Sequence, residues 1–175
     1  LQGIQSGASI NFEEESLANS EVGLKYTFPN SADILTVAIF DMTRKDQTFR
    51  RADLVTDPDS ATGFDQVDYF INACRSEIFG AELEGSYTLT DNVRLEGTLA
   101  YIKSEFKVFN SGISNELFGS EDSSGRTAER FPEWSGSLSG VFDGSINAEL
   151  GWFGRVDWFY QGERFADEGN LTTAP

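Results

Sequence analysis

The chain has 175 residues, 13 lysine or arginine against 29 aspartate or glutamate, for a net charge of −16 with no histidine and one cysteine, Cys74. Without histidine there is no Ser–His or Cys–His nucleophile pair and no imidazole metal ligand, and one thiol makes neither an intrachain disulfide nor a thiolate zinc site. So acidic a chain is unsuited to nucleic acid, no run of about 18 apolar residues marks a spanning helix, and the length suits one domain.

Composition favours a sheet. Fifteen phenylalanines, five tyrosines and three tryptophans stand beside 17 glycines and only four prolines. Aromatic side chains pack well on a pleated surface, while glycine, Asn and Asp serve turns. The dominant signal along the chain is alternation with period two, which sends successive side chains to opposite faces. A weak first strand is expected around Ser6 to Phe12. Val22, Leu24, Tyr26 and Phe28 then alternate with Gly23, Lys25 and Thr27, and Pro29 to Asp33 makes a short turn. Ile34 to Gln47 reads as a strand, apolar on both parities from Ile34 to Phe40, so its facing stays open.

Thr48 to Ser76 is polar and reads as a long connection. In the strand Phe79 to Leu89 one face carries Phe79, Leu83, Tyr87 and Leu89, the other Glu82, Glu84, Ser86 and Thr88. After the turn Thr90-Asp91-Asn92, Val93, Leu95, Leu99 and Tyr101 oppose Arg94, Glu96, Thr98 and Ala100. A second long polar connection is expected from Lys107 to Glu133. Trp134, Leu138 and Phe142 then alternate with serines, Asp143-Gly144-Ser145 makes a turn, and a last strand runs from Ile146 to Tyr160. Its apolar face holds Trp152, Val156, Trp158 and Tyr160, and its polar face Glu149, Arg155 and Asp157.

Six strands in three hairpins, with short turns at one end and long connections at the other, follow the plan of outer-membrane barrels. The longer alternating segments reach the roughly 9–11 residues that a tilted strand needs to cross hydrocarbon. The expected fold is an all-β, antiparallel, up-and-down transmembrane β-barrel. Barrels of this kind start at about eight strands, so a partial barrel, a segment of a larger one, is expected. Its apolar faces would meet lipid, with Trp152, Trp158 and Tyr160 as interfacial aromatics, and Lys25, Glu82, Glu84, Arg94, Glu96, Arg155 and Asp157 would line the lumen. The alternative is a soluble β-sandwich carbohydrate- or ligand-binding module that buries the same apolar faces between two sheets; a small closed lipocalin-like barrel is a third option. Burial or exposure of Trp152, Trp158 and Tyr160 discriminates between them.

Specific residues carry a family resemblance. Glu21-Val22-Gly23-Leu24-Lys25 followed by a turn, an apolar strand and Lys45-Asp46-Gln47 resembles the late barrel strands of TonB-dependent outer-membrane receptors. Gly80-Ala81-Glu82-Leu83-Glu84-Gly85 after a loop, and Phe131-Pro132-Glu133-Trp134-Ser135 opening a strand, are similar in the same way. The resemblance covers roughly Ser20 to Gly162. It implies a 22-stranded barrel with an N-terminal plug domain inside it. It further implies the outer membrane of a Gram-negative bacterium, and import of a scarce extracellular ligand (siderophore, cobalamin or oligosaccharide) powered through TonB. On this reading residues 1–175 are a barrel segment from which the plug and the terminal strands are absent. Its partners are outer-membrane lipid, the plug, the TonB complex through the plug, and a small ligand. It is not an enzyme, and it needs no cofactor and no metal.

Other features are weaker. Glu82 and Glu84, two apart on one face, have the separation of a glycosidase pair, but lumen carboxylates pairing with Arg94 or with plug cations are the plainer reading. Asp57 to Gly63 resembles a calcium loop in which Ala61 stands where an oxygen ligand belongs; a solvated acidic loop is expected instead. Gly136 and Gly140 form a G-x-x-x-G that has no helix-dimer meaning on a strand, and Asn170-Leu171-Thr172 is a glycosylation sequon by pattern alone. Cys74 is placed in the first long connection, with its partner left open. The candidate ligand-facing residues are Arg50, Arg51, Phe64, Tyr69, Arg75 and Arg126, because function concentrates on loops held by a scaffold; arginine suits an anionic ligand and aromatics a stacked one.

Overall fold

Period-two alternation becomes a meander in the computed structural model, which describes residues 13–29, 31–109, 122–167 and 169–174, without the side chains of residues 50–55, 66–69 and 73. The strands are β1 (Ser16–Thr27), β2 (Ile34–Thr56), β3 (Phe64–Thr90), β4 (Val93–Phe109), β5 (Trp134–Ser145) and β6 (Gly151–Gln161). They form one antiparallel sheet in the order β1-β2-β3-β4-β5-β6, and a separate ribbon pairs β7 (Arg164–Phe165) with β8 (Thr173–Ala174). The strand expected at Ser6 to Phe12 lies outside the described residues.

Register settles the facing of Ile34 to Phe40. Val37 pairs with Leu24 and Leu83, whereas Thr36 pairs with Lys25 and Glu84. Leu35, Val37 and Ile39 therefore share the apolar face, and Ile34, Thr36, Ala38 and Phe40 the polar one. The tip of the Phe40 ring reaches over Gly80, where a Cβ would come within 2.1 Å of the ring Cζ. Any larger residue there needs the ring to swing away.

Two expected connections are corrected. Thr48 to Ser76 is no long loop: β2 runs on to Thr56, β3 starts at Phe64, and only residues 57–63 connect them. Cys74 accordingly lies within β3, and is buried. The alternation fails in this ribbon because neither face is uniformly apolar, Phe49 pairing with Ile71 but Arg50 with Phe70. The last turn also shifts, since β5 continues through Ser145 and the chain turns over residues 146–150. There the Asn147 side-chain carbonyl accepts the N–H groups of Glu149 and Leu150, each at 2.9 Å, and Ile146 N–H donates to Leu150 O. The apolar parity of Ile146, Ala148 and Leu150 is that of a turn.

The short turns are fastened to neighbouring strands. Asp33 accepts hydrogen bonds from Thr88 N–H at 2.9 Å and Thr88 Oγ1 at 2.8 Å. Asn92 and Asp143 exchange two bonds between the second turn and β5.

The apolar face is bare. Leu83 and Leu99, on strands paired along both edges, are 40% and 44% exposed, and Trp152, Trp158 and Tyr160 are 48%, 60% and 48% exposed. No second sheet covers them among the described residues. The buried apolar residues, Cys74, Phe106, Phe109 and Ala128 with Phe49 and Ile71 against them, cluster instead at the end of the sheet away from the Asp33 and Asn92 turns. A soluble sandwich would bury the opposite set.

Candidate functional site

The polar face curves into a trough of about 510 Å³ whose lining draws on all six strands, through Lys25, Thr36, Glu84, Glu96, Ser139 and Arg155. Alternation along each strand and unbroken register from β3 to β6 over this stretch bring these residues together. Arg155 organises the wall: it donates to Glu96 Oε2 at 2.9 Å, to Asp157 Oδ1 at 2.7 Å and to Ser139 Oγ at 3.0 Å. Ser139 Oγ in turn donates to Asp157 Oδ1 at 2.5 Å, and Arg94 pairs with the other Glu96 oxygen at 2.7 Å. Of the seven residues expected on this face, Glu96, Arg94, Arg155 and Asp157 thus form one charge network. Lys25 and Glu84 line the trough beside it, and Glu82 follows on the same parity.

Glu82 and Glu84 make no ion pair with Arg94 or with any other of the described residues. A glycosidase needs one carboxyl in an apolar enclosure; both of these are exposed.

The end of the sheet away from the Asp33 and Asn92 turns is built differently. A bulge between Arg44 and Gln47 leaves Asp46 at a φ of 58°, and a second irregularity follows between Gln47 and Thr48. The segment before β1 clasps this break: Glu15 accepts from Arg44 at 2.5 Å and from Thr48 N–H at 2.7 Å. Asn72 bonds Asp46 O at 2.5 Å and both the N–H and the carbonyl of Glu13. The Arg44 guanidinium, then the Thr48 N–H, hold the Glu15 carboxyl below its ordinary range.

Across the sheet the connection after β4 folds back on the strand end. Phe106 and Phe109 bond Arg126, Gly125 and Ser123 through backbone groups, and Ser104 Oγ donates to Ala128 O. Thr127 and the Asn170 side chain exchange two bonds of 2.9 Å, while Arg126 reaches Gly169 O. Asp167, held below its ordinary range by the Thr172 hydroxyl and the Leu171 N–H, closes the turn before β8. Thus the segments on either side of β5 and β6 are strapped together.

The six candidate ligand-facing residues do not meet in one pocket. Arg50, Arg51 and Tyr69 lie on the tall β2–β3 ribbon, where Arg51 pairs with Tyr69 and Arg50 with Phe70; their side chains are outside the described set. Phe64, the first residue of β3 at the tip of that ribbon, is 51% exposed. Arg75 pairs with Glu77 at 3.0 Å, within a chain that includes Lys107 and Glu105. Arg126 belongs to the strap. Asp57 to Gly63 is a hydrogen-bonded turn in which Asp57 Oδ1 accepts Asp59 N–H, and no group of three potential metal ligands occurs among the described residues. Sequence reasoning missed Glu15, Asn72 and Asn170, whose clasping partners are 26 to 59 residues away and leave no local trace.

On the apolar face, aromatic rings gather near both strand ends. Tyr101 packs against Trp134 at 4.8 Å between centroids and Trp158 stacks on Tyr160 at 6.1 Å, whereas Tyr26 and Tyr87 both contact Phe28 near the short turns. From Trp152 to Tyr160 is eight residues, or about 26 Å along the strand, close to the apolar band of about 25 Å found on membrane barrels.

The family model for the TonB dependent receptor-like beta-barrel matches residues 2–175. Among solved structures, the chain is similar to BauA, the ferric preacinetobactin receptor from Acinetobacter baumannii, with a TM-score of 0.64 and 16% identity over 91% of this chain. The chain spans 21% of that receptor's length, and at this identity the likeness is one of fold.

Proposed function

The chain belongs to the TonB-dependent receptor β-barrel family, and from that premise we propose that it forms part of the wall of an active-transport receptor in the outer membrane of a Gram-negative bacterium. Members of this family are transporters. The observation that carries the reading is the bare apolar face on β3 and β4: strands paired on both edges still leave Leu83 and Leu99 about two-fifths open. Water would oppose such a surface, and acyl chains accept it.

The remaining assignments follow from that orientation. The trough with Lys25, Glu82, Glu84, Arg94, Glu96, Arg155 and Asp157 lines the lumen, and cations of a plug domain outside residues 1–175 pair with Glu82 and Glu84. The tall ribbon, the segment around Arg126 and the strapped segments rise outside the cell, where Arg50, Arg51, Phe64, Tyr69, Arg75 and Arg126 contribute to capture of a scarce small ligand. A ferric chelate is the first ligand class to test, because the structural neighbour is a ferric preacinetobactin receptor; cobalamin and oligosaccharides follow. TonB, acting through the plug, supplies the energy.

The test is uptake of radioactive iron as a panel of ferric siderophores, then labelled cobalamin and oligosaccharides, in cells with and without the full receptor. Accumulation that needs the receptor, needs TonB and stops with a protonophore is expected. Accumulation indifferent to all three, for every class, would overturn the reading.

A further inference from the structure

Cations at the ribbon end of the sheet are already engaged. Arg44 pairs with Glu15 at 2.5 Å, Arg75 with Glu77 at 3.0 Å, and Lys107 with Glu105 at 2.8 Å and Glu77 at 3.6 Å. Arg130 lies 3.7 Å from Glu129, and Arg126 donates to Gly169 O in the strap. Lys45 and Lys103 have no ion pair among the described residues, but each holds the apolar parity, Lys45 with Val37 and Ile39 on β2 and Lys103 opposite Phe79. Arg164 shares a hollow of about 600 Å³ with Lys103, and two carboxylates, Glu133 and Glu163, line it too.

Carboxylates, by contrast, are in surplus. Between residues 46 and 68 six aspartates stand against two arginines, Arg50 and Arg51. Of the six, Asp46, Asp57, Asp59 and Asp65 make no ion pair among the described residues. The side chains packed on the inner side of this end, Phe49, Ile71, Phe106 and Phe109, carry no charge. A polyanion arriving here would give up hydration without meeting a cation in return. A surface of one sign changes the local concentration of a charged ligand, and with it the rate of capture, by about 10-fold to 1,000-fold. At this end the disfavoured sign is negative.

We infer that the ligand captured at this end carries no net negative charge. For a ferric chelate this selects the chemistry of the donor groups. Three hydroxamates balance the charge of ferric iron and leave a neutral complex, or a cationic one where an amine is appended. Three catecholates leave three negative charges. The inference rests on the proposed transport reading, with this end outside the cell, and narrows its ligand class.

The experiment supplies radioactive iron as cationic ferrioxamine B, as neutral ferrichrome and as trianionic ferric enterobactin to cells with and without the full-length receptor. Labelled cyanocobalamin and maltooligosaccharides, both neutral, complete the panel. Receptor-dependent uptake of at least one neutral or cationic probe, at least about tenfold above that of ferric enterobactin, is the expected result. Receptor-dependent uptake of ferric enterobactin within about tenfold of the best probe would overturn the charge selection and leave the transport reading standing. No receptor-dependent uptake of any probe would overturn both. A companion receptor carrying Asp59→Lys and Asp65→Lys, at two exposed positions, should narrow the preference at least about threefold at low ionic strength and by less at high. An unchanged preference, at wild-type receptor levels, counts against the ribbon's carboxylates as its source.

Discussion

Leu83→Arg tests the orientation of the sheet most sharply. Leu83 sits on β3 between Val37 and Leu99, which pair with it from either side, and is 40% exposed. Phe79 and Tyr87 share its face four residues above and below, about 13 Å along the strand in each direction. It therefore lies at mid-depth in an apolar band about 25 Å tall. An arginine at the midplane of such a barrel costs about 2–4 kcal/mol, a loss of about 30-fold to 1,000-fold in the folded ratio. On a water-facing surface the same change falls within about 0.5 kcal/mol. Glu84→Arg, one residue on, points into the trough and serves as the control, with an expected effect below about 1 kcal/mol. Urea titration of the full receptor refolding into lipid vesicles, read by gel mobility without boiling, measures both. If Leu83→Arg unfolds with wild-type stability, or if Glu84→Arg proves the costlier of the two, the assignment of faces is wrong.

Three further outcomes follow from the geometry. Asp33 is held below the ordinary aspartate value of 3.8 by the Thr88 N–H and hydroxyl, so its contribution is present above that value and disappears as pH falls through the lowered one; melting followed from about pH 5 to about pH 2 should be steeper in the wild type than in Asp33→Asn. Gly80→Val forces the Phe40 ring off its seat and should cost about 1–3 kcal/mol; in a double-mutant cycle Phe40→Ala should recover part of that loss, whereas strict additivity would mean that the ring and the glycine are not coupled. Asn170, at a φ of 55°, carries the two bonds to Thr127, so Asn170→Gly keeps the backbone and loses the strap. Proteolysis within residues 162–174 should accelerate in Asn170→Gly and more so in Asn170→Ala, and equal rates in all three would show that the strap is idle.

How much of this could be read from the chain depends on depth. Between the aromatic rows one face meets one medium and the other face another, and alternation in Phe79–Leu89 or Val93–Tyr101 records that difference residue by residue. Past the bulge at Asp46 the ribbon loses the contrast, and Thr48–Ser76 looked like a loop although it is strand for most of its length. The turn at residues 146–150 misled in the opposite sense, because Ile146 and Leu150 keep the strand's apolar parity while the Asn147 side chain bends the backbone. The charged residues of the trough were legible because alternation sets them on the face opposite the leucines. The strap and the Glu15 clasp were not, since a hydrogen bond across tens of residues imposes no spacing on the chain. Alternation already set Phe153 and Phe159 on the face of Arg155 and Asp157, and the unbroken register with β5 agrees.

The irregularities near Asp46 and Ala73 have a consequence of their own. Arg44 pairs with Ser76 before them and Thr48 with Asn72 after them, so the two strands each gain one residue and leave the break in step. The sense of the surface is nonetheless reversed: odd-numbered Phe79 and Leu83 look outward, whereas odd-numbered Ile71 packs inward with Phe109 and Cys74. This hinge of parity insulates one region from the other. The ribbon beyond it can be trimmed, extended or exchanged by matched insertions in β2 and β3 without turning a single leucine of the sheet, which makes it a natural seam for variation between relatives.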